Sequence, residues 1–248
     1  MSAGFKRAGL ALVRLYPMGV SLLWKAPLVL ALIVIPEFVQ HVAEIRLGMF
    51  DNREAFVRLG DDPTRMAFGY VKIAGLILAF LASARFWWTC RRGGRWADLR
   101  RVAWGRLLLG LLLFMGVPAL PELVKAQIEP WLYQALVWGL TLLMLPMLFV
   151  LLAGLFGDRK TAVEAMWRRG WPWLFLTTLL VIVAFVPAQL LHGLNHRWAL
   201  GADPAVVWAL MIFDSLLVGL LAGLTGTALY LGYDAFVQGE PRRSREHR

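Results

Sequence analysis

The chain has 248 residues, of which 59% are hydrophobic and 17% charged, with a net charge of +10 and one cysteine. Soluble domains carry roughly 45–50% apolar and about 25% charged residues, so this balance excludes an ordinary water-solvated domain. The lone cysteine, Cys90, excludes a disulfide framework and a cysteine-built metal site.

The start Met1-Ser2-Ala3-Gly4-Phe5-Lys6-Arg7 leads into an apolar stretch interrupted by Arg14 and Lys25, with no small-residue cleavage pattern. That is a poor signal peptide, and a retained first span is expected. A span needs about 20 largely apolar residues. Six blocks meet that length, at about 18–40, 67–90, 104–124, 131–156, 171–192 and 205–236. Near the end of each odd span stands a similar segment: Ile35-Pro36-Glu37-Phe38, Leu120-Pro121-Glu122-Leu123 and Val186-Pro187-Ala188-Gln189. Each even span opens on an acidic residue and proline: Asp62-Pro63, Glu129-Pro130 and Asp203-Pro204. Proline at the first helical position loses no hydrogen bond, and the carboxylate before it can cap free N–H groups. Each even span then carries Gly-Leu, at Gly75-Leu76, Gly139-Leu140 and Gly219-Leu220.

Basic amphipathic stretches precede the odd spans. Residues 5–14 set Phe5 and Leu12 opposite Lys6 and Arg7. Trp96, Leu99 and Ala103 share a helical face beside Arg100 and Arg101. Thr161-Ala162-Val163-Glu164 has capping-box form and leads Val163, Met166 and Trp167 onto one face. Such segments lie in the membrane interface with cations toward headgroups, which marks Arg100, Arg101, Lys160, Arg168 and Arg169 as lipid-headgroup candidates. The expected fold is an all-α membrane bundle of six spans. It is built from three tandem repeats of interfacial helix plus transmembrane hairpin, at about 1–93, 94–157 and 158–238, with a basic tail at 239–248.

Assigning loops to alternate sides puts 19 of the 26 Lys and Arg on one side and 7 on the other. The cation-rich side is expected to be cytoplasmic, which places both termini inside and makes the protein a multi-pass bacterial inner-membrane protein. A basic cytoplasmic face against anionic lipid accounts for the net charge without nucleic acid.

The run Asp158-Arg159-Lys160-Thr161-Ala162-Val163-Glu164-Ala165-Met166-Trp167-Arg168-Arg169, leading into Gly170-Trp171-Pro172-Trp173, resembles the segment before a span in the YciC-like bacterial inner-membrane proteins. It is also similar to the membrane domain attached to some glycerophosphodiester phosphodiesterases. The resemblance implies a six-span protein with interfacial helices and carries no catalytic motif; no phosphodiesterase catalytic domain is present.

Lys72, Arg85 and Asp214 are ionisable groups inside spans, which are expensive and mark pathways or structural pairs. Lys72 and Asp214 lie at similar depths from Pro63 and Pro204, so a mutual ion pair is expected. Arg85 is expected to snorkel or to meet Asp234. His41, His192 and His196 share one side with Glu37 and Glu44, a set that could bind zinc. Gly193 and Asn195 argue against a helix there, and histidines at span ends are common, so no metal and no cofactor is expected. Gly219-x-x-x-Gly223 favours close helix packing. No phosphate loop, no Gly-x-Ser-x-Gly elbow and no His-Glu-x-x-His is present. The expectation is a non-enzymatic membrane protein that organises lipids or partner proteins, its protein partner being another membrane protein or a second copy of itself; the alternative is a small transporter or lipid-handling protein using the intramembrane charges.

Overall fold

A computed structural model describes residues 3–239; residues 1–2 and 240–248, which include Arg242, Arg243, Arg245 and Arg248 of the expected tail, lie outside the described residues. The described residues are all-helical, with no strand among them. Five helices are long and apolar enough to cross a membrane, and a sixth span arises if one bent pair is counted as a single crossing. This is consistent with a multi-pass membrane protein.

The helix Ala3–Lys25 ends with Ala26 alone between it and Pro27, which opens the helix Pro27–Arg46. Proline has no N–H and pushes the residue before it out of helical geometry, and Ala26 stands at φ −148°. The expected first span at 18–40 is corrected by this break: the apolar helix of spanning length begins at Pro27. A short helix, Arg53–Arg58, follows, capped by Asn52 through its side-chain oxygen to the Ala55 N–H at 2.8 Å. Pro63–Cys90 is unbroken.

The expected interfacial helix at 94–103 does not form. Gly93 turns the chain at φ +66°, and only one 3-10 turn, Leu99–Arg101, is made, with Asp98 accepting from the Arg100 N–H. Trp104–Gln127 then changes winding three times, from α to a π turn at Leu112–Gly116, back to α, and to a 3-10 segment at Leu120–Gln127. Pro118 and Pro121 explain this, because each removes an N–H and crowds the carbonyl four residues earlier. Pro130–Met144 and Met147–Phe156 meet at 45° across Leu145-Pro146.

Val163–Arg169 is separated from Trp171–Ala199 at Gly170. The capping box expected at Thr161 is absent. Ala162 is the N-cap, and Thr161 instead gives its hydroxyl to Asp158 at 2.7 Å. Pro204–Gly239 closes the described chain. All three acidic-proline pairs start helices, and two cap them: Asp62 accepts from the Thr64 and Arg65 N–H groups, and Asp203 from the Ala205 N–H.

The chain divides into two compact units. In the unit of Gly9–Trp87 and Leu179–Ala228, small residues bring helices together. A Cβ at Gly75 would meet the Leu32 carbonyl, and one at Gly219 or Gly223 would meet Val34 or Leu30 of the 27–46 helix. The Gly219/Gly223 motif therefore packs within its own unit. In the other unit, which holds Trp88–Thr178, Gly110 and Gly154 set the 104–111 and 147–156 helices backbone to backbone. There Trp88 stacks on Phe156 with ring centres 4.7 Å apart and carries the Arg92 guanidinium 3.4 Å from its ring. Arg106 ties down the following loop through the carbonyls of Asp158, Arg159 and Thr161.

Candidate functional site

A dense polar cluster is buried within the unit of Gly9–Trp87 and Leu179–Ala228. Its geometry begins with helical periodicity. Glu37, Gln40, His41 and Glu44 stand at i, i+3, i+4 and i+7 of the 27–46 helix and so share a face; none is more than 3% exposed. His192, Asn195 and His196 share a face of the 171–199 helix in the same way. That helix runs unbroken through Gly193 and Asn195, which corrects the doubt that glycine and asparagine there raised. Asp214, fully buried, comes from the 204–239 helix, while Arg65 and Lys72 come from 63–90.

Asp214 is the centre. Its Oδ2 lies 2.6 Å from His192 Nδ1, 3.1 Å from His41 Nε2 and 3.8 Å from His196 Nε2. Its Oδ1 accepts from Asn195 Nδ2 at 2.7 Å. His41 reaches further: Nε2 is 3.3 Å from Glu37 Oε1, and Nδ1 is 2.9 Å from Glu44 Oε2. Glu44 Oε1 accepts from Gln40 Nε2 and Arg65 Nε, both at 3.0 Å. Lys72 Nζ lies 2.8 Å from Glu37 Oε1, an ion pair without hydrogen-bond alignment.

Two features of this network are chemically incomplete. The first is charge: three carboxylates, Glu37, Glu44 and Asp214, face two permanent cations, Arg65 and Lys72. A buried excess charge is costly and calls for a positive partner. The second is His196, whose two ring nitrogens are buried and have no hydrogen-bond partner. Its ring sits 5.3 Å from that of His41 and 4.7 Å from that of His192. A neutral imidazole has one N–H, so His41 can donate to only one of its flanking carboxylate groups unless a second proton arrives. A proton or a metal ion fills such a gap.

The ligand atoms of His41, His196 and Asp214 all lie within 4.8 Å of one another, as do those of Glu37, His192 and Asp214. A cavity of about 320 Å³ opens onto His192 and His196, lined also by Phe56, Arg65, Arg197 and Leu200.

The expected Lys72–Asp214 pair is corrected. Both residues belong to the cluster, but Glu37 takes the Lys72 ammonium, while Asp214 is held by His41, His192 and Asn195. Equal depth along two helices did not reveal a carboxylate on a third. Arg85 is buried, 2% exposed, and lies 13 residues beyond Lys72 on the same helix, about 20 Å away along its axis. Asp234 has Arg91 and Arg92 as ion partners at 3.8 and 3.9 Å.

The headgroup candidates Arg100, Arg101, Lys160, Arg168 and Arg169 are all exposed. Arg101 pairs with Asp98 and Arg168 with Glu164, each at 3.1 Å. Sequence reasoning missed Gln40, Asn195 and Arg65. The available signal was polar residues recurring every three or four positions on otherwise apolar helices. No protein-family model, no curated protein and no solved structure matches the chain.

Proposed function

We propose that the protein is a non-enzymatic six-span protein of the bacterial inner membrane that binds and moves a small cation through the histidine–carboxylate cluster. The observation that carries this reading is the cluster itself. Ten polar side chains from four helices converge in an apolar unit, short of one positive charge and reached by a cavity at His192 and His196. Ionisable groups inside spans mark ion and proton pathways. The 19-to-7 split of Lys and Arg supports cytoplasmic termini, which sets the cluster toward the outer face. The shared proline segments at Pro36, Pro121 and Pro187, with the acidic-Pro and Gly-Leu landmarks, support three tandem repeats, in line with the YciC-like pattern. The exposed Arg100, Arg101, Lys160, Arg168 and Arg169 favour a second, compatible role, contact with anionic lipid headgroups on the cytoplasmic side.

The test is the full chain reconstituted in liposomes under an imposed pH gradient, with proton movement followed by a trapped pH-sensitive dye. Wild type is expected to collapse the gradient, Asp214→Asn to lose that activity, and Glu122→Gln to keep it. Equal rates in wild type, Asp214→Asn and protein-free liposomes would overturn the reading.

A further inference from the structure

Resting on that cation-handling reading, we infer that the cluster is a site for a divalent transition-metal ion of the zinc class, held by His41 Nε2, His196 and Asp214 Oδ2. His192 or Glu37 stands ready to complete the coordination.

Three observations separate a metal from a proton alone. The first is His196. Protons shared among His41, His192 and Asp214 would complete those contacts and leave the His196 nitrogens buried and idle. A metal ion gives one of them a bond, and burying a polar ring with no partner is costly otherwise.

The second is spacing. A tetrahedral zinc ion with bonds of about 2.0–2.1 Å sets its ligand atoms roughly 3.3–3.4 Å apart. His41 Nε2 and His196 Nε2 stand 3.1 and 3.8 Å from Asp214 Oδ2, and one ligand atom from each of the three residues falls within 4.8 Å of the others. Small side-chain adjustments close that difference.

The third is the support behind the ligands. His41 presents its other nitrogen to Glu44 at 2.9 Å, and Glu44 is fixed by Gln40 and Arg65. This is the carboxylate–histidine arrangement that orients a metal-binding imidazole. The second oxygen of Asp214 is fixed by Asn195 at 2.7 Å.

The donor set also selects the ion. Two or three imidazoles with a carboxylate suit zinc, cobalt or nickel, whereas magnesium and calcium take oxygen ligands. Replacing bound protons by a divalent ion keeps the net charge of the cluster within one unit of zero. The cavity at His192 and His196 gives the ion a way in.

The experiment uses the metal-stripped full chain in detergent, titrated with zinc and, for its visible spectrum, with cobalt. Wild type is expected to bind about one zinc per chain and to give the intense cobalt absorption of a tetrahedral site, with magnesium failing to compete. His196→Ala also removes ring packing against Phe50 and Phe56, so its metal-free thermal midpoint should fall, while zinc affinity of the folded chain falls at least about tenfold. Glu44→Gln should lower affinity by about 10–100-fold. Zinc binding unchanged in His196→Ala would overturn the inference. Absence of zinc binding by wild type would do the same, and the liposome assay then separates two failures. Proton movement that still depends on Asp214 leaves the cation reading standing, whereas its loss as well removes both.

Discussion

The Pro36-Glu37 and Pro121-Glu122 segments carry the same two residues within two apolar stretches of the chain, and their glutamates have opposite environments. Glu37 is fully buried and meets His41 and Lys72. Glu122 is exposed, where Tyr133 and Lys125 reach it. The difference lies in what the backbone does after the proline. The 27–46 helix stays α-helical for ten more residues, so Gln40, His41 and Glu44 fall in line with Glu37. The 104–127 helix tightens into a 3-10 segment, in which residues i and i+3 eclipse, and Lys125 therefore stands beside Glu122, which stays exposed. A shared motif fixes where a carboxylate enters the helix; the winding that follows decides what it can meet.

Removing the two carboxylates gives the largest contrast. Glu37→Ala strands the Lys72 ammonium among buried groups and should cost roughly 3–5 kcal/mol in a detergent unfolding titration. Glu122→Ala should leave the midpoint unchanged. The pair Glu37→Leu with Lys72→Met should lose less than Glu37→Ala alone, because the Lys72 ammonium is then not left without its carboxylate. Additive losses in the Glu37 and Lys72 variants would show that the two do not interact.

The Gly-Leu landmark sharpens the same comparison at smaller scale. A Cβ at Gly75 runs into the Leu32 carbonyl, whereas nothing lies within 4 Å of one at Gly139. Gly75→Ala should therefore cost about 1–3 kcal/mol by overpacking. Gly139→Ala should be neutral or stabilise by up to about 1 kcal/mol through helix propensity. Equal effects on thermal midpoint would place the two glycines in equivalent surroundings and break the distinction.

The smallest effect is a pH dependence in the loop before 163–169. Burial pushes the Asp158 carboxyl up, but the Thr161 hydroxyl and the Thr161 and Lys160 N–H groups outweigh it and hold the carboxyl below the ordinary aspartate range. With its folded value below the unfolded one, Asp158 adds stability that is full above about pH 4 and lost as the pH falls through the folded value. Asp158→Asn should flatten that acid limb of the stability profile. An unchanged acid limb would show that these hydrogen bonds do not favour the ionised form.

Much of this was legible in one dimension. Apolar block lengths located the long helices, and the acidic-proline pairs marked three helix starts because their physics is local. Pro27 also ends a helix locally, yet it lies inside an apolar block whose composition does not mark the break. The missing helix at 94–103 follows from Gly93 and Gly94, which outweighed an amphipathic pattern. The cluster was half visible: His41 with Glu37 and Glu44, and the i, i+4 spacing of His192 and His196, stand in the sequence. Their convergence on Asp214 depends on how three helices are rotated about their axes, which periodicity within one helix does not encode. For the same reason depth along the helix pairs Lys72 with Asp214, whereas its ion partner is Glu37.

Three histidines from two helices close on one aspartate. Nitrogen NMR of the full chain with isotope-labelled histidine, in lipid nanodiscs, reads that directly. Asp214→Asn should move the His41, His192 and His196 ring-nitrogen resonances together, with Glu122→Gln moving none of them. Three imidazoles with solvent-like resonances that ignore Asp214→Asn would contradict the account.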